Sequence, residues 1–413
     1  MNFQVILTSP TWRLNGVNVF SANLIGGLRN NGVPAKLLLT RTGAVNWNPM
    51  ELPTDIPIER LPAASFRDSG ARRTALIDYL EENAPCIYIP NYDYDTSCVS
   101  SILSSRIGIV GIVHSDDPEH YEHVGRLGRY WNAVVAVSTT IASETARRNP
   151  ALSGKIESIP YGVPVPDTMP ERSFEPGLPL RLVYSGRLVQ YQKRVLDLVK
   201  IAEVLERMRV PFRLTVIGDG EERERLESAL SDMVQRGQVQ FLGALAYEQV
   251  LEQYRQQDIF IMTSEFEGMP IALLEAMSLG CLPVVFHTRS GIPELIQDGI
   301  NGYRIRIRDI STLAEKLAFL YRNTDARQQM AQNAYLTVRH SGYRLADMTT
   351  RYVALFQRIM HEIELGHYSR PYREIMPPSI LRAGWGKRLP HAIRNLGFYY
   401  RTWRKQRNNR VLV

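Results

Sequence analysis

Short apolar runs alternate with longer amphipathic stretches from the start of the chain. "FQVILTS" (3–9) gives way to "VFSANLIGGLRNNG" (19–32), and "AKLLLT" (35–40) follows. "CIYIP" (86–90), "IGIVGIVH" (107–114) and "AVVAVS" (133–138) are further apolar runs, each closed by a polar turn. Runs of this length suit buried strands, and the stretches between them carry helical spacing. Strand and helix in this alternation predict an α/β fold, a parallel sheet wound with helices on both faces.

Between Pro160 and Pro179 the rhythm breaks into "PYGVPVPDTMPERSFEPGLP", whose prolines and glycines mark a linker. It resumes with "LRLVYSG" (180–186), "FRLTVIGDG" (212–220) and "VQFLG" (239–243), separated by helical stretches. In the stretch from 195 to 208, Val195, Leu198, Val199, Ala202 and Leu205 fall at three- and four-residue spacing, one face for a sheet. The expected organisation is a Rossmann-like domain over 1–165, a linker over 166–179 and a second Rossmann-like domain over 180–350. A C-terminal helix over 351–367 and a tail over 368–413 complete it. Two doubly wound domains of this kind face a central cleft, where the carboxyl ends of both strand sets meet and open α/β sheets bind ligands.

One stretch in the second domain carries chemistry. "DIFIMTS" (258–264) reads as a strand, "LPVVF" (282–286) as another, and Pro270 tolerates the first turn of a helix lying between them. Leu273, Leu274 and Met277 share a side of that helix, and Gly280 stands where it stops. Glu267 is thereby placed in the loop and Glu275 inside the helix. The amides of Gly268, Met269 and Ile271 lie at the positive end of the helix dipole, a place for an anion.

Composition narrows the setting. The three cysteines, Cys86, Cys98 and Cys281, are widely spaced with no C-x-x-C pair, which speaks against a disulfide framework or a zinc knuckle and for a reducing cytoplasm. The first residues read as a strand rather than a signal peptide, and no apolar run reaches the roughly 18 residues of a membrane span. The net charge of +7 is concentrated at one end: residues 368–413 hold eleven Lys and Arg against Glu374, while the remainder holds 38 basic and 41 acidic residues. In "PHAIRNLGFYYRTWRKQRNNR" aromatics interleave with cations, which suits peripheral attachment to an anionic membrane surface. A solvated end is the second reading of this tail; nucleic acid is not expected as a partner.

The pair Glu267 and Glu275 around Gly-Met-Pro-Ile resembles the signature of retaining glycosyltransferases of family GT4, which have the GT-B fold. "YSGRLVQYQKR", with Gly186, Arg187 and Lys193, and later "SGIPELIQDGINGYRI" agree in order and spacing. The resemblance covers residues 180–310 strongly and the amino-terminal domain loosely. It implies transfer of a sugar from a UDP-, GDP- or ADP-linked donor to a glycan acceptor with retention, without a cofactor or an obligatory metal. Arg187 and Lys193 would stabilise the departing diphosphate, Glu275 would hold the ribose, and Glu267 and His114 the donor sugar. Gly16 and Val17 resemble the family's glycine-rich loop over the diphosphate, with one glycine in place of the usual pair. Two metal readings compete: His114, Asp116, Asp117, His120 and His123 in "GIVHSDDPEHYEH", and Asp93 and Asp95 in "NYDYD". The rivals to transfer are a sugar-nucleotide epimerase of the same fold and a noncatalytic binding protein.

Overall fold

The computed structural model describes residues 3–12, 15–41, 55–61, 69–91, 93 and 95–371. The first sheet contains β1 (Gln4–Ser9), β2 (Ala35–Leu39), β3 (Ile58–Arg60), β4 (Cys86–Ile89), β5 (Ile107–Val113), β6 (Ala133–Ala136) and β7 (Ile156–Ser158). Its order is β3-β2-β1-β4-β5-β6-β7, with every pair parallel. The second contains β8 (Leu180–Ser185), β9 (Phe212–Ile217), β10 (Val239–Gly243), β11 (Ile259–Met262), β12 (Leu282–Phe286) and β13 (Tyr303–Ile305). Its order, β10-β9-β8-β11-β12-β13, is again all parallel. Each sheet reverses its strand order once, between β1 and β4 and between β8 and β11. Crevices open at such switch points, outside the carboxyl ends of the strands.

The central strands β4, β5, β6, β11 and β12 are buried at every position. Their near-continuous apolar runs are what a sheet covered on both faces requires. The first long helix begins at Gly16, three residues before the apolar run, because Asn15 caps it: its side chain accepts the Asn18 amide at 2.9 Å.

The chain crosses between the lobes twice. One crossing follows β7 through residues 159–179. The other leads from the helix Thr324–His340 to the helix Leu345–Glu364, and the two run side by side, with Val163 N donating to Tyr343 O at 2.9 Å. Position 350, the expected end of the second domain, lies inside this last helix. The helix returns to the first lobe and covers the helix Gly16–Asn30 so closely that a Cβ on Gly27 would lie 2.2 Å from Thr349 Oγ1. Past it, the Arg370 guanidinium is buried against the carbonyls of Leu103 (2.7 Å), Ile107 (2.6 Å) and Tyr130 (3.1 Å), at the amino ends of β5 and β6. Of the basic tail, residues 372–413 lie outside the described residues, and the expected membrane surface rests on them. No helix among the described residues is long and apolar enough to cross a membrane.

Candidate functional site

The second lobe supplies one wall of the cleft. Gly218, at φ 128, follows β9 so close to the turn after β8 that a Cβ would sit 1.9 Å from Gly186 O, so the "GDG" segment needs its first glycine. Arg187 follows, exposed, and bonds the Gln192 side chain. Lys193 ends the short helix Gln190–Lys193, and its Nζ lies 2.6 Å from Glu267 Oε1. Gln192 fastens this corner to the strand-to-helix loop: its carbonyl accepts the Glu265 amide at 2.8 Å, and its Nε2 donates to Phe266 O at 3.3 Å. Thr263 Oγ1 adds a bond to Lys193 O at 2.7 Å.

The helix after the loop is Ile271–Ser278, with Pro270 as its N-cap rather than its first residue. It is buried on nearly every side, and Glu275 is buried with it at 5% exposure. Glu275 Oε1 has no hydrogen-bond partner, and burial pushes the carboxyl up to about 8. The Tyr247 hydroxyl, also buried without a bonded partner, is the polar group that offsets this rise. An orphaned buried carboxylate oxygen is costly unless something else fills its coordination.

From the first lobe come the Gly16 turn and His114. Gly16 is exposed at the start of its helix, and a Cβ there would lie 3.8 Å from Ile271 Cδ1, so this turn and the start of the 271 helix meet across the cleft. His114 directly follows β5 and is 6% exposed. Asn91 Nδ2 donates to Ser21 Oγ at 2.8 Å, which leaves Asn91 Oδ1 to accept from His114 Nε2 at 2.6 Å. Nδ1 then accepts the Tyr161 hydroxyl at 2.5 Å, so the network assigns the proton to Nε2. Ser21 Oγ also donates to Val17 O at 2.8 Å, which ties the Gly16–Val17 turn to the histidine. Burial holds the His114 ring neutral by lowering its pKa well below 6.5.

The remaining candidates for a metal have other occupations. His123 Nε2 lies 3.0 Å from Ser97 Oγ, and burial brings both His120 and His123 down to about 3. Asp116 accepts from Arg289 Nε at 2.8 Å and from the Tyr121 hydroxyl at 2.6 Å. Asp117 caps the helix Pro118–Leu127. Asp95 is paired with Arg72 at 2.6 Å and Arg73 at 2.9 Å, while Asp93 is bonded by the Thr40 hydroxyl.

The lobes touch along a seam through the site. Ser115 and Gly268 form an antiparallel bridge, and Asp116 N donates to Glu267 O at 3.3 Å. A Cβ on Gly268 would lie 2.0 Å from His114 O; the approach demands glycine. Gly268, Met269 and Ile271, whose amides the sequence marks as a place for an anion, are all buried, Gly268 in the interdomain seam. Ser138 and Ser290 hydroxyls meet at 2.7 Å, and the Glu294 carboxylate accepts the amides of Thr139 (3.1 Å) and Thr140 (3.2 Å) at a helix start in the opposite lobe. Sequence reasoning singled out Lys193, Glu267, Glu275 and His114; it missed Asn91 and Tyr161, on separate loops, and Ser21 and Gln192, single polar residues within the helices Gly16–Asn30 and Gln190–Lys193.

Comparison with known proteins gives the setting. Residues 167–337 match the family model described as Glycosyl transferases group 1. The chain is 30% identical over 173 residues to the putative colanic acid biosynthesis glycosyltransferase WcaL of Salmonella typhimurium, covering 38% of this chain and 42% of that one. It is 32% identical over 142 residues to the amylovoran biosynthesis glycosyltransferase AmsK of Erwinia amylovora, 33% of this chain and 34% of that one. The match thus spans less than half the length of either relative. Among solved structures, S. aureus TarM in complex with fondaparinux, alpha-GlcNAc-glycerol and UDP has a TM-score of 0.71 at 12% identity, covering 86% of this chain and 99% of that one. Anabaena HepE in complex with UDP and glucose has a TM-score of 0.68 at 16% identity, covering 86% and 100%. The two Rossmann-like lobes have the GT-B arrangement of these enzymes.

Proposed function

We propose that the chain transfers a sugar from a nucleotide-diphospho-sugar to an acceptor hydroxyl with retention of configuration. The observation that carries this reading is the Lys193–Glu267 pair, 2.6 Å apart at the cleft corner where both lobes meet. The C1–oxygen bond of the donor breaks with its electron pair on the phosphate, and charge gathers on the leaving diphosphate. Arg187 and Lys193 face that charge, and fixed cations in a water-poor cleft stabilise it strongly. Glu267, buried and held by Lys193, is oriented toward the sugar together with His114. Glu275 gains the hydroxyl partners its orphaned oxygen lacks when a ribose lies beside the 271 helix. Gly16 and Val17 form the turn above the diphosphate. The match to a glycosyltransferase family model and the presence of UDP in TarM and HepE support a nucleotide-sugar donor. The acceptor, a glycan in this reading, enters from the first lobe. The protein's cations, rather than a metal, neutralise the leaving group.

A panel of UDP-, GDP- and ADP-sugars should include one that raises the melting temperature, and Arg187→Ala with Lys193→Ala should remove most of that rise. Unchanged stabilisation in the double variant would show that the leaving-group assignment is wrong. Turnover abolished by a chelator and restored by manganese would overturn the metal-independent reading. Conversion of the donor with no acceptor present would instead indicate an epimerase.

A further inference from the structure

The first lobe has its own switch point, and cations surround it. Arg41 follows β2 by two residues, with its amide bonded to Pro10 O at 3.0 Å beyond the end of β1. Asp93 and Asp95 lie beyond the end of β4, and Arg72 and Arg73 reach Asp95 from the helix Ser69–Glu82. Five charged side chains thus converge where β1, β2 and β4 end, on the cleft side.

Their charges do not cancel. Asp95 is held ionised by its two arginines, and burial raises Asp93 toward its neutral form despite the Thr40 and Thr96 bonds and the nearby Arg41. Arg41 forms no ion pair among the described residues, and its Nε is buried without a partner. Arg73 Nε is likewise buried and unpartnered, although its terminal nitrogen serves Asp95. Guanidinium groups carry rigid donor forks, and a half-buried one left without an acceptor is unfavourable. Core packing does not account for two arginines on the ionised Asp95 with a third, Arg41, beside Asp93, at the switch point of the first sheet.

We infer that the crevice at Arg41, Arg72 and Arg73 binds an oxyanion group of the acceptor, a phosphate or a carboxylate. The inference rests on the proposed transferase reading, in which the acceptor occupies the first lobe, and it specifies the acceptor as anionic. Either source of the oxyanion, a phosphate linked to the acceptor or an acidic sugar within it, offers the planar or tetrahedral oxygens that guanidinium forks bind in pairs.

The test is calorimetric titration of the full chain with inorganic pyrophosphate and, separately, with glucuronate, with UDP present to fill the donor site. Arg41→Gln with Arg73→Gln should weaken the preferred anion about tenfold or more. Arg187→Ala with Lys193→Ala should leave that binding in place. Preference for pyrophosphate identifies a phosphate-bearing acceptor, and preference for glucuronate an acidic glycan. Should the double variant fail to fold, Arg41→Gln against Arg41→Lys makes the same comparison at a residue with no ion pair to lose among the described residues. Binding equal in parent and variant, no binding of either anion, or binding lost only with Arg187 and Lys193 would each overturn the inference. Failure of the transferase reading is seen separately, as absence of stabilisation by any nucleotide-sugar.

Discussion

At Gly268 a single hydrogen atom sets the distance between two lobes. A methyl group there would sit 2.0 Å from His114 O, and both partners are backbone, so neither can swing aside. Gly268→Ala is expected to hold the seam open by an ångström or more and to lower turnover about 100-fold, because cross-lobe alignment is lost. Small-angle scattering and kcat read the two effects together. Glu275 makes a different prediction. Its carboxyl is raised by burial from 4.5 to about 8, so the folded state holds a proton that the unfolded state releases between those values. Stability from this group is therefore complete below pH 4.5 and is lost as pH rises toward about 8. Glu275→Gln should flatten that decline in denaturant midpoints while weakening nucleotide binding about tenfold through the lost carboxyl oxygen. Both residues were visible in the sequence as parts of a motif. The seam was not, because His114 and Gly268 are far apart along the chain and nothing local to either records the other.

Among the elements, the helix Pro118–Leu127 shows how a polar-looking sequence can be internal. Its histidines suggested a metal cluster, but burial takes His120 and His123 down to about 3. With folded values depressed below 6.5, their contribution is fully present above pH 6.5 and is lost as pH falls toward about 3. Acid unfolding of the first lobe is expected to begin below about pH 6, ahead of ordinary carboxylate titration. Imidazole proton resonances of His114, His120 and His123 should stay at their neutral positions from pH 8 to 5. Strand identities were legible because buried parallel strands are continuous apolar runs, as in β5 and β12. The start of the first long helix was not, since Gly16 and Val17 lack apolar periodicity and Asn15 sets the boundary through a side-chain bond. The return of the helix Leu345–Glu364 to the first lobe was equally hidden: amphipathic spacing shows that a face is buried, not against which partner.

For the whole molecule, polar contacts hold the two lobes against each other. Arg289 pairs with Asp116, Ser138 meets Ser290, and Glu294 accepts two amides from the opposite lobe. Charge-assisted bonds of this type contribute roughly 1.5–3 kcal/mol each when shielded, and less where exposed. Arg289 is 58% exposed at its side chain, so Glu294, aimed at a helix start, is the stronger clasp. Glu294→Ala should shift the closed-to-open balance about tenfold, seen as a larger radius of gyration without ligand that contracts on nucleotide addition. Two lobes and a central cleft followed from the alternation of strands and helices around a proline-rich gap. Which charges clasp the cleft did not, because Arg289 and Glu294 read as ordinary surface residues and Asp116 as one of a set of metal candidates.

The paired crossings at 159–179 and 341–345 bear on how the protein comes apart. A protease that cuts the proline-rich stretch leaves the last helix as part of the second fragment yet still packed on the first lobe, so both fragments should co-elute under native conditions and separate only in denaturant. Freeing the second lobe from the first without denaturant takes a further cut, ahead of the last helix, where Val163 and Tyr343 are hydrogen-bonded.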